Sequence, residues 1–132
     1  MKHTGTIVDV GSRLEHLLDE GVVGKLQEIG RESNDQGFAE AVVGLYMEHT
    51  PQLLEELETA CERDDWDKIR YITHRLKGSS LSVGAKSIAQ VCEMLRVEAP
   101  AKSSFLRRWE LLGRLKLFYE ITATHFRKLL HH

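Results

Sequence analysis

Apolar residues in this chain return every three or four positions along most of its length, and no stretch alternates as a strand would. That period fixes the class of fold. Side chains three and four apart share one face of an α-helix, so each such segment carries a stripe that must be buried against another helix. Only Pro51 and Pro100 interrupt the pattern. The chain is therefore predicted to be all-α.

The elements follow from the stripes and their punctuation. Leu14, Leu17 and Leu18 predict a short helix stopped at Gly21, and Val22, Val23, Leu26 and Ile29 a second, stopped near Gly30. Residues 32–37, ESNDQG, are turn and cap chemistry. Phe38, Val42, Leu45, Tyr46, Leu53, Leu57, Ala60 and Cys61 predict a long helix. Pro51 removes one backbone donor inside it, which predicts a kink or a short break capped by Thr50. Asp64 or Asp65 caps the next helix, which runs from near Trp66 to about Val83 and stops at Gly84. Ser87 and Gln90 make an S-x-x-Q capping box for a helix whose stripe is Ile88, Val91, Cys92 and Leu95. Pro100 ends that segment. The last helix, 103–130, is apolar over more than one face and so should touch more than one neighbour.

Four substantial amphipathic helices with short links predict an antiparallel four-helix bundle, with short extra N-terminal helices covering one end or side. A length of 132 residues with 42% hydrophobic content suits one domain. Residues 1–12 read as a loose N-terminus and 13–130 as the bundle.

Several function classes are disfavoured. A formal net charge of -2 offers no basic excess for nucleic acid or an anionic membrane. No apolar run is long enough to span a membrane, and residues 1–12 lack a signal-peptide core. Cys61 and Cys92 lie on apolar stripes with no C-x-x-C, which predicts buried free thiols in a reducing, intracellular setting. The seven histidines show no H-x-x-x-H or H-E-x-x-H spacing, so no metal site is expected. Without a P-loop, a G-x-S-x-G or a glycine-rich nucleotide loop, an autonomous kinase or hydrolase is not expected either. His131 and His132 carry no assigned function.

One stretch does not fit a simple helix: HRLKGSSLSVGA, residues 74–85, with Gly78, Ser79 and Ser80 in its middle. A helical glycine costs about 1 kcal/mol relative to alanine. With Ile72 as the centre of the buried face, Ile69, Leu76, Ser79 and Val83 fall within about 60° of it and Ser80 near its edge. His74 lands about 200° away, among Arg70, Lys77, Gly78 and Leu81. His74 is therefore predicted to face solvent. Small residues at 79 and 80 let a neighbouring helix approach. Gly78 has no packing reason on that outer side and clears the space beside the imidazole.

The chemistry of that face is specific. An ordinary histidine pKa of about 6.5 leaves most of the ring neutral and nucleophilic at pH 7. Lys77 lies three residues on and Arg70 one turn before, so cations flank a ring that would become anionic on phosphorylation. Leu81 puts an apolar residue on the same face, as a docking surface would. Each feature alone has an ordinary explanation as a solvated surface. Together on one face they point to a phosphoryl-accepting histidine.

On His74, Leu76, Lys77, Gly78, Ser79 and Ser80, then Val83, Gly84, Ala85, Cys92 and Leu95, the sequence resembles a histidine-containing phosphotransfer domain of two-component phosphorelays. The upstream FAEAVVGLYMEHTPQLLEELETA resembles the long helix that precedes the active-site helix in that family, and residues 22–98 match in layout. The resemblance implies a bundle whose exposed histidine is phosphorylated on Nε2. It implies reversible transfer from the aspartyl phosphate of one receiver domain to the aspartate of another. His74 is then the phospho-acceptor, Lys77 its charge partner and Gly78 the residue that gives access. Arg70, Leu81 and Gln90 would meet the partner. The implied partners are receiver domains of hybrid histidine kinases and of response regulators. The receiver would bring Mg2+ and most of the catalytic groups, so the chain itself needs no cofactor and acts as a carrier, in the cytoplasm or, in a eukaryote, the nucleus. Arg75 stands where small or uncharged polar residues are common in the family, and RVEAPAKSS lacks the Leu-Glu ending of many bacterial members. Two other readings stay open: an acceptor domain loaded by a separate chemotaxis-type kinase, and a non-catalytic helical interaction module.

Overall fold

A computed structural model describes residues 17–98 and 105–130. They form α1 (Glu20–Glu32), α2 (Phe38–Glu62), α3 (Trp66–Ser82), α4 (Lys86–Glu98) and α5 (Phe105–Leu130). Among the described residues there is no strand. Links of only a few residues turn α2 back into α3 and α3 back into α4, so these neighbours run antiparallel. Each of α2 to α5 packs on the next, and α5 returns to α2, closing a four-helix bundle with α1 laid against α2. The apolar α5 thus meets two neighbours, as its composition demanded. Leu57, Ile69, Ile72, Leu76, Ile88, Leu95, Leu111, Leu115 and Phe126 fill the centre with almost no exposure. The loose segment 1–12, most of the first predicted helix and Pro100 lie outside the described residues.

The N-terminal region differs from the expectation. One helix runs through both predicted stops. Asp19 caps it, its Oδ1 accepting from the Gly21 N–H at 3.1 Å, so Gly21 sits in the first turn. Gly30 also lies within α1, and its lack of a side chain admits the Asp35 carbonyl oxygen, which would stand 2.5 Å from a Cβ there.

Pro51 does not break α2. Its missing N–H leaves the Met47 carbonyl without its helical donor. The Tyr119 hydroxyl reaches across from α5 and donates to that carbonyl at 2.9 Å. Thr50 does not cap a new helix; its hydroxyl donates back to the Tyr46 carbonyl at 2.6 Å.

Of the two candidate caps for α3, Asp65 is the one used, its Oδ1 accepting from the Lys68 N–H at 3.2 Å. Asp64 takes a left-handed turn at φ 54° and pairs with the buried Arg108 of α5. The Arg108 guanidinium lies 4.7 Å from the Trp66 ring centroid, so α5 grips the start of α3. The capping box at Ser87 is also corrected. Helix α4 begins at Lys86, which places Ser87 inside the first turn. The link fixes that start instead, with the Ala85 N–H donating to the Ser80 carbonyl at 2.8 Å. Gly84 stops α3 as predicted, at φ 81°.

Candidate functional site

Helix α3 buries Ile69, Ile72, Thr73, Leu76 and Ser80. Its inward face is therefore turned by roughly 50° from one centred on Ile72, toward Thr73 and Ser80. This reverses the two serines: Ser80 is fully buried and Ser79 only partly. The cause is polar pairing. The Ser80 and Tyr46 hydroxyls meet at 2.9 Å between α3 and α2, and the Thr73 hydroxyl donates to the Ile69 carbonyl at 2.7 Å. Satisfied polar groups can be buried without penalty, so they join the inner face.

His74 remains on the outer side, exposed, with Gly78 exposed one turn along. A Cβ added at Gly78 would meet no atom within 4 Å. Among the described residues no neighbour requires glycine there, and the space beside the imidazole is open.

Lys77, Leu81 and Gln90 come together, with Lys86, Ala89 and Glu93, along a groove of about 260 Å³ between α3 and α4. Leu81 is 50% exposed. Arg70 does not reach that groove; it pairs with Asp67 one turn earlier. Arg75 leans the other way, its guanidinium 5.7 Å from the Tyr71 ring centroid, beside a second groove between α2 and α3 that Leu45, His49 and Ser82 also line.

The sequence reading missed two residues here. The Lys77 ammonium sits 3.0 Å from a carboxylate oxygen of Glu93 on α4. Arg96 holds both oxygens of the same carboxylate, through Nε at 3.1 Å and Nη2 at 2.5 Å. Arg96 first and Lys77 second hold the Glu93 carboxyl well down, at about 2. The i,i+3 spacing of Glu93 and Arg96 was visible in the sequence. Their meeting with Lys77 depends on how α4 registers against α3.

Cys61 and Cys92 are buried and free. Burial pushes their thiols up, to about 11 and about 12, so neither serves as a nucleophile near neutral pH. Among the described residues, no group of His, Cys, Asp and Glu is placed to hold a metal, and no helix is long and apolar enough to cross a membrane. The site offers an exposed imidazole, a nearby cation and open space on one helix. It suits a group delivered and removed by a partner.

The Hpt domain family matches residues 41–121 of the chain. The chain is 28% identical to histidine-containing phosphotransfer protein 4 of Arabidopsis thaliana over 130 residues, covering 96% of this chain and 95% of that protein. Its structure is similar to that of a rice protein described as a histidine-containing phosphotransfer protein, with a TM-score of 0.77 at 25% identity over 98% of this chain and 91% of that one. It also shares the fold of histidine-containing phosphotransfer protein B from Pseudomonas aeruginosa, with a TM-score of 0.74 at 22% identity over 85% of this chain and 92% of that one.

Proposed function

Since this chain belongs to the Hpt domain family, a family of phosphoryl carriers, we propose that His74 is the residue that carries the group, taking it from one receiver domain and giving it to another. The observation that carries this reading is the open outer face of α3, where His74 stands beside the unfilled space at Gly78. The lone pair on the unprotonated ring nitrogen attacks the phosphorus of a receiver's aspartyl phosphate. An N–P bond forms, the P–O bond breaks, the aspartate leaves as carboxylate, and the ring keeps the proton on its other nitrogen. The reverse step loads the next receiver. Such transfer needs positioning and charge stabilisation above all. Helix α3 supplies the position, Lys77 offsets the phosphoryl charge, and Gly78 lets the receiver close over the ring. Leu81 and Gln90 flank the approach along the α3–α4 groove, and Arg70 stands one turn before His74 for contact with the same partner. On this reading the receiver brings the Mg2+, and the carrier works where its receivers are, in the cytoplasm or, in a eukaryote, the nucleus. A kinase-loaded acceptor and a passive interaction module find no support in the relatives.

A two-step chase tests the shuttle. A receiver carrying radiolabelled phosphate is mixed with this protein and then with a second, unphosphorylated receiver. The expected result is label on the second receiver only when this protein is present. Label that loads solely from ATP through a kinase domain, and never from a receiver, would replace the shuttle with the kinase-loaded reading.

A further inference from the structure

We propose that Glu93 sets how firmly the phosphoryl group is held on His74, by competing with it for Lys77; the inference rests on His74 being the acceptor. Lys77 has a fixed partner before any phosphate arrives, the Glu93 carboxylate at 3.0 Å. Arg96 grips both oxygens of that carboxylate, so it is aimed and stays ionised. A phosphoryl group on His74 would sit on the same face of α3, three residues from Lys77 and within reach of its ammonium. Lys77 can serve the phosphoryl group fully only by loosening its bond to Glu93. The stability of phosphohistidine is therefore lowered by up to what the Lys77–Glu93 pair is worth.

The direction suits a shuttle. A group held too firmly would not pass on, and an unopposed lysine would hold it harder. Away from a receiver, a cation on the phosphoryl oxygens stabilises the charged phosphohistidine relative to the free ring. Freeing Lys77 should therefore slow loss of the group.

The pair is not needed to join the helices. Its side chains are 40% and 35% exposed, while Ile72, Leu76, Val83, Ile88, Cys92 and Leu95 bury the α3–α4 contact beneath it. Its placement beside the acceptor is what calls for an explanation.

The test uses the full chain and phosphoramidate, which needs no receiver. Its P–N bond breaks, an N–P bond to the ring forms, and ammonia leaves. Phosphohistidine half-life is then read at His74 by peptide mapping. Glu93→Gln should lengthen it about twofold to fivefold, the range an exposed ion pair can supply, with the thermal midpoint unchanged. With Lys77→Ala in the background, Glu93→Gln should have no effect, because the two act through one interaction. The equilibrium with a phosphorylated receiver should also move toward this protein. An unchanged or shortened half-life in Glu93→Gln overturns the inference, as does an equal lengthening without Lys77. If wild type refuses label from receivers yet shows the Lys77-dependent effect after phosphoramidate, the relay reading fails and this one stands. A His74 that accepts phosphate by neither route sinks both.

Discussion

Alanine at position 84 is expected to lower the thermal unfolding midpoint by about 10 °C, corresponding to roughly 3 kcal/mol in a domain of this size. Two penalties combine. Gly84 holds φ 81°, a left-handed conformation that costs an L-residue about 1–2 kcal/mol. Its new methyl group would also stand 2.3 Å from the Asp19 carbonyl oxygen and 3.1 Å from the Val22 Cβ. Backbone must move to relieve that contact, and the Asp19 N–H bond to the Gly84 carbonyl, at 2.7 Å, would be strained with it. The link between α3 and α4 is thus pinned to the start of α1. Thermal unfolding followed by circular dichroism measures the loss. Gly24→Ala is the control, since a Cβ there meets nothing within 4 Å. An equal midpoint for Gly84→Ala and wild type would show that the pinning is unimportant.

Glutamine at position 78 should have the opposite pair of effects. Among the described residues nothing fills the space over Gly78, so a side chain fits. Replacing a mid-helix glycine with a good helix former should stabilise α3 by about 0.5–1 kcal/mol. The same side chain would occupy the space beside His74 that a receiver must enter. In-line transfer tolerates little displacement, and a shift of about 1 Å can slow it on the order of 100-fold. The expected variant is more stable than wild type and much slower to accept phosphate, measured as an initial rate from a labelled receiver. Unchanged transfer would remove access as the reason for this glycine. A lower melting temperature would give it a structural role that the open space does not suggest.

These two glycines also divide what the sequence discloses from what it hides. Gly84 reads as a helix stop because its role is local, although its contact with Asp19 is not. Periodicity likewise exposed α2, α3 and α5, and it turned His74 outward, because each depends on residues within a few turns. The errors share a different cause. Ser80 looks like an edge residue until Tyr46 supplies a buried partner for it. Pro51 looks like a break until Tyr119, far along the chain, supplies a donor for Met47. Glu93 and Arg96 look like one more surface pair until the packing of α4 on α3 brings Lys77 to them. Helical stripes can be read along one element. Polar partners chosen across elements require the assembled bundle.

The most direct measurement of the central claim is label transfer from a radiolabelled, phosphorylated receiver to wild type and to His74→Gln, with helical content checked in both. The predicted result is acid-labile, alkali-stable label on the wild type and none on the folded variant, as an N–P bond on His74 requires. Equal labelling of the two proteins would move the acceptor to another residue. Failure of both folded proteins to take label from any of several receivers would contradict the relay itself.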